Sequence, residues 1–76
     1  MPPKLPRISA EKAIRALMRL GFVQIRQRGS HVTLKKQTLK GEIGCVVPMH
    51  RELEVGTLRS ILRQAGVTPE EFIENL

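Results

Sequence analysis

Two runs of alternating apolar and polar residues meet at Gly29-Ser30, and this pattern restricts the fold more than any other feature of the chain. Before the junction Val23 and Ile25 alternate with Gln24 and Arg26; after it Val32 and Leu34 alternate with Thr33 and Lys35. A period of two is that of half-buried strands. Glycine takes positive φ without steric cost, so Gly29-Ser30 reads as the turn between strands over residues 22–28 and 31–36. With Val32 and Leu34 toward the core, His31, Thr33 and Lys35 lie on the opposite, wet face. His31 then sits just past the bend, beside Arg26 and Arg28, where an imidazole and cations can meet a phosphodiester.

The flanking segments are helical. Ser9 is a good N-cap for residues 10–20, Glu11 suits the positive end of the helix dipole, and Gly21 follows as the C′ residue. Ala13, Ile14, Leu17 and Leu20 recur at helical spacing as the buried face. Lys12, Arg15 and Arg19 line another face, as any solvated helix surface does and as a phosphate-tracking one does. Residues 37–41 are polar, end in glycine and read as a second reversal. Residues 42–47 are a third strand, closed by Pro48, whose near-continuous apolar run suits either cover on both faces or the sheet centre. Residues 49–54 are a polar connection, Val55-Gly56-Thr57 opens a helix over 58–65, and Gly66 stops it. Thr68, Pro69 and Glu71 are N-cap, N1 and N3 of a last short helix to about Asn75. Phe72 and Ile73 tie it to the core.

The result is a single α+β domain over residues 1–76, with residues 1–8 as an extended, proline-rich tail. A three-stranded antiparallel meander carries two amphipathic helices on one face and a short extra C-terminal helix. That α-β-β-β-α sandwich resembles the double-stranded-RNA-binding fold, although a fold does not carry a function.

Charge narrows the partner. The net charge is +6. Residues 1–40 hold ten Lys/Arg against one acid, giving +9, and residues 41–76 hold three against six, giving −3. Such asymmetry is the footprint of a nucleic-acid or other polyanion binder, or of a solvated basic surface. The single cysteine, Cys45, excludes an internal disulfide and a cysteine-based metal cluster, and its apolar setting reads as a small buried hydrophobe. Neither a signal peptide nor a membrane span is evident, so a cytoplasmic protein is expected. The two aromatics, Phe22 and Phe72, read as core, which argues against base stacking and for contact through charge and shape. Two separated histidines without further ligands make no metal site, and no cofactor is expected.

Gly-Phe-Val at 21–23, Arg-Gly-Ser-His at 28–31, Val-Pro-Met-His at 47–50 with Glu54 beyond it, Gly-Thr-Leu-Arg-Ser-Ile-Leu-Arg-Gln-Ala-Gly at 56–66 and Glu70-Glu71-Phe72 fall in one order and spacing. Together they resemble the HicA (YcfA-like) family. The resemblance implies a small toxin of a type II toxin–antitoxin pair, a metal-independent ribonuclease acting on messenger RNA, inhibited by a HicB antitoxin. It also implies a catalytic role for His31, the histidine of the Gly-Ser-His motif.

Metal-free RNA cleavage needs a base for the ribose 2′-OH, an acid for the leaving 5′ oxygen, and cations for the charged transition state. Histidine suits the first two roles, and arginine suits bidentate phosphate contacts. The candidate site is therefore His31 as general acid or base, with Lys12, Arg15, Arg19, Arg26, Arg28, Ser30 and Lys35 as RNA contacts. His50 either completes an acid–base pair, binds phosphate, or caps the second helix through its ring. Two other functions use the same surface: a non-catalytic RNA-binding module, and a regulatory protein whose basic face meets only an acidic partner.

Overall fold

A computed structural model describes residues 4–76. The element order is α1 (Ala10–Arg19), β1 (Val23–Arg28), β2 (His31–Thr38), β3 (Gly41–Pro48), α2 (Val55–Ala65) and α3 (Pro69–Glu74). The strands form an antiparallel sheet in the order β1-β2-β3, so the expected α-β-β-β-α meander with a short last helix is the observed architecture.

Local chemistry sets the helix ends. The Ser9 hydroxyl accepts the Lys12 N–H at 3.1 Å and starts α1. Gly66 ends α2 at φ +67, a left-handed conformation that glycine adopts without strain. α3 opens with a full capping box: the Thr68 hydroxyl accepts the Glu71 N–H, and the Glu71 carboxylate accepts the Thr68 N–H, both at 3.1 Å. Those bonds from Thr68, backbone first, hold the Glu71 carboxyl below its ordinary pKa.

One sheet face builds the core. Val32, Leu34, Cys45 and Val47 pack under Ala13, Ile14 and Leu17 of α1, Leu58, Ile61, Leu62 and Ala65 of α2, and Phe72 of α3, all buried. Phe22 is buried beside them, and Lys36 reaches along the margin with its ammonium 5.8 Å from the Phe22 ring centroid. Among the described residues no helix covers the opposite sheet face. Of the segment expected as an extended tail over residues 1–8, residues 1–3 lie outside the described residues; further along, Leu5 is in the core and the Ile8 carbonyl accepts the Leu53 N–H at 2.7 Å.

β1 departs from the half-buried strand expected of its alternation, since all six of its residues are exposed. The cause is a bulge between Gln24 and Arg26. An uninterrupted ladder from Arg28↔His31 would set Ile25 opposite Leu34, on the core side. The extra residue puts Gln24 opposite Leu34 and Val23 opposite Lys35 instead, and Val23 is thereby turned to the open face. Val23 is 59% and Ile25 53% exposed.

β3 is likewise neither central nor covered on both faces. It is an edge strand in which Cys45 and Val47 point inward while Val46 is 40% exposed. Its free edge is partly masked by α2, because Gln64 Oε1 accepts the Val46 N–H at 3.2 Å. An apolar run hid an ordinary alternation.

Burial pushes the Cys45 thiol up to about 11. Native protein at pH 8 should therefore react with a thiol reagent far more slowly than protein in urea, and equal rates would show that Cys45 is accessible. The sign of the linked pH effect follows. Above its ordinary value of 9.0 the thiol of the unfolded chain ionises, whereas the buried thiol does not until about 11. Native stability should fall as pH rises across that window, and Cys45→Ala should remove this part of the fall.

Candidate functional site

The β1–β2 hairpin closes on the pair Arg28↔His31, leaving Gly29 and Ser30 as a two-residue turn. Gly29 has φ +56, and no described residue other than glycine has positive φ. Positive then negative φ at the two turn positions is the sign pattern of a type II′ turn, which places glycine first and follows the strand twist. A Cβ at Gly29 would meet nothing within 4 Å, so the demand for glycine is conformational rather than spatial. Gln27 Nε2 donates to the Gly29 carbonyl at 3.1 Å and pins the turn.

Residues paired across an antiparallel ladder share a face. The open face therefore reads, from the turn inward, as Arg28, His31 and Pro48; then Arg26, Thr33 and Val46; then Val23, Lys35 and Gly44; then Gln37 and Glu42. The bulge precedes Arg26, so both arginines keep step with His31. Among the described residues neither arginine has an acidic partner. His31 is exposed, and among the described residues no hydrogen bond orients its ring.

His50 is near this end of the sheet by backbone. The Met49 N–H donates to the Ser30 carbonyl at 2.6 Å, which ties the loop after β3 to the turn preceding His31. The structural role open to His50 differs from a ring cap on α2. The N-cap there is Glu54, without a side-chain bond, whereas the His50 carbonyl accepts the Ala10 N–H at 3.1 Å and caps α1. The His50 side chain remains exposed.

The structure divides the expected RNA contacts. Arg26, Arg28, Ser30 and Lys35 belong to the hairpin with His31. Lys12, Arg15 and Arg19 stand on the exposed side of α1, in the helical layer, beside a groove bordered by Pro6, Ile8 and Leu76. Arg15 lies 3.8 Å from Glu11, and Arg19 Nη1 donates to the Asn75 carbonyl at 2.8 Å. These three are not brought onto the open sheet face. Lys35 is not a bare cation either, because its ammonium is 3.0 Å from Glu42.

Glu42 escaped the sequence reading, and its signal was there to find. Treating residues 37–41 as a loop concealed that β2 runs on to Thr38, that the turn is only Leu39-Lys40, and that Gln37 pairs with Glu42. Among the described residues no cluster of His, Cys, Asp and Glu could hold a metal ion.

The family model of the HicA toxin of bacterial toxin–antitoxin systems matches residues 10–67, from the start of α1 to just beyond α2. The chain belongs to the HicA toxin family. Among curated proteins no sequence matches it. As a HicA-family toxin it has a place in a toxin–antitoxin pair, and the match includes His31, His50 and every hairpin cation. No helix among the described residues is long and apolar enough to cross a membrane.

Proposed function

We propose that this HicA-family toxin is an endoribonuclease that cleaves messenger RNA without a metal ion, with His31 as general acid or base, and that a HicB antitoxin inhibits it in the cytoplasm. One observation carries the reading: His31 is exposed on an uncovered sheet face, in register with Arg28 and one row from Arg26. A phosphodiester held by the two guanidiniums would present its ribose 2′-OH and 5′ oxygen to the imidazole. The Gly29-Ser30 turn fixes where His31 leaves the strand, and the Met49–Ser30 bond holds that turn against β3.

Purified protein incubated with RNA in EDTA tests the proposal. Products ending in a 2′,3′-cyclic phosphate are expected; cleavage that appears only when divalent metal is added would overturn it. The free His31 ring, without a partner to orient it, favours one second reading, a non-catalytic RNA-binding module on the same face. That module would bind in EDTA and leave the RNA whole.

RNA affinity should fall steeply with salt, because each phosphate contact releases condensed counterions. Arg26→Ala and Arg28→Ala should each flatten the log–log slope by about 0.7 on single-stranded RNA. Arg15→Ala and Arg19→Ala should flatten it too if the strand continues from the hairpin around to α1. An unchanged slope in both would confine RNA to the sheet.

A further inference from the structure

Glu42 is the one acidic residue in the three strands, and it stands on the face that carries Arg26, Arg28 and His31. Both of its oxygens are engaged. Oε1 lies 3.0 Å from the Lys35 ammonium, and Oε2 accepts from Gln37 Nε2 at 3.0 Å. The geometry of Lys35 favours this pairing over a reach toward the arginines. Gly44 is its cross-strand partner, and a Cβ there would lie 3.5 Å from Lys35 Cγ and 4.0 Å from Cε. The aliphatic stem thus lies over the space that the glycine leaves open. Lys36 cannot substitute for its neighbour, since it points to the other face and lies over Phe22.

We propose that Glu42 is an internal competitor for Lys35, holding it out of the phosphate track and confining RNA backbone contact to the Arg26, Arg28 and His31 end of the sheet. The inference rests on the RNA-binding reading given above. It makes Glu42 and Gln37 positioning residues that act through Lys35. A strand centred on Lys35 would put its phosphates two rows from His31, so silencing that cation favours the register in which a phosphodiester faces the imidazole. The ion pair is half-exposed, and a phosphate can compete for the lysine only at the expense of Glu42.

The test is a double-mutant cycle read by anisotropy of a fluorescein-labelled single-stranded RNA of mixed sequence, with His31→Ala as the parent so that the RNA stays intact. Lys35→Ala alone should change affinity little. Glu42→Gln should tighten binding by about two- to fivefold, the range of an exposed ion pair, and steepen the salt slope by about 0.7, one further phosphate contact. Gln37→Ala should move both in the same direction by less. Combining Lys35→Ala with Glu42→Gln should return affinity and slope to the parent's values. A gain from Glu42→Gln that survives Lys35→Ala would mean that Glu42 acts only through net charge, and would overturn the inference. So would a folded Glu42→Gln variant that binds like the parent, whose RNA binding would leave the broader reading standing. A parent that binds no RNA at low salt would remove that reading and this inference with it.

Discussion

His31→Ala should abolish both RNA cleavage and growth inhibition while leaving the fold and the thermal midpoint almost unchanged. The imidazole is exposed, so its removal opens no cavity, and the β2 backbone keeps its pairing with Arg28 of β1 and Pro48 of β3. Substitutions at such positions usually stay within about 0.5 kcal/mol of the parent. The catalytic cost is of another order, since a positioned general acid or base is worth roughly 10²- to 10⁴-fold in rate. RNA binding should survive, because Arg26 and Arg28 remain. A folded variant that cleaves at the parental rate would refute the assignment. One imidazole can take the 2′-OH proton or supply one to the 5′ oxygen, and the other transfer needs a second group. His50 is the nearest candidate by backbone, through the Met49–Ser30 bond. If it serves, His50→Ala should remove one limb of the pH–rate profile while His31→Ala removes the rate itself.

The sequence conveyed the parts of this molecule that depend on local chemistry. Ser9, Gly66 and the Thr68–Glu71 box mark helix ends through bonds between near neighbours, and each is found where its residue type calls for it. The buried faces of α1 and α2 follow from helical spacing in the same way. What was not legible depends on register. The bulge in β1 leaves no mark in the alternation of Val23, Gln24, Ile25 and Arg26; on the contrary, that alternation suggests an intact strand. The bulge resets which residues face inward, and Phe22, just before the strand, is the aromatic that is buried there. The apolar run of β3 misleads for a related reason. Ile43, Cys45 and Val47 are covered to differing degrees, whereas Val46 is left on the open face. In the candidate site, the hairpin that sets His31 beside Arg28 is legible in the alternation and the Gly-Ser turn, but the pairing of Lys35 with Glu42 requires knowing that β2 and β3 meet at a two-residue turn.

Antitoxin should protect the open sheet face and compete with RNA for it. The face is cationic at the Arg28 end, so a partner presenting acidic groups would gain on-rate there. It also exposes Val23, Ile25 and Val46, on which RNA has no claim in a chain whose two aromatics are buried, but which a protein interface would cover. The bulge that turns Val23 outward precedes Arg26, so it leaves the arginines in step with His31 while adding an apolar side chain to the same face. Ile25→Ser should therefore weaken the antitoxin complex by about tenfold or more, the loss of a buried anchor worth over 1 kcal/mol, while changing RNA affinity little. Arg28→Ala should weaken both. On adding antitoxin, backbone amides from Arg26 to Lys35 should slow in hydrogen exchange, and labelled RNA should be displaced. The rival geometry is inhibition from a distance, with the antitoxin docked on the acidic second half near Glu70, Glu71 and Glu74. Protection confined to residues beyond Gly56, with RNA still bound in the ternary mixture, would establish that geometry and exclude occlusion of His31.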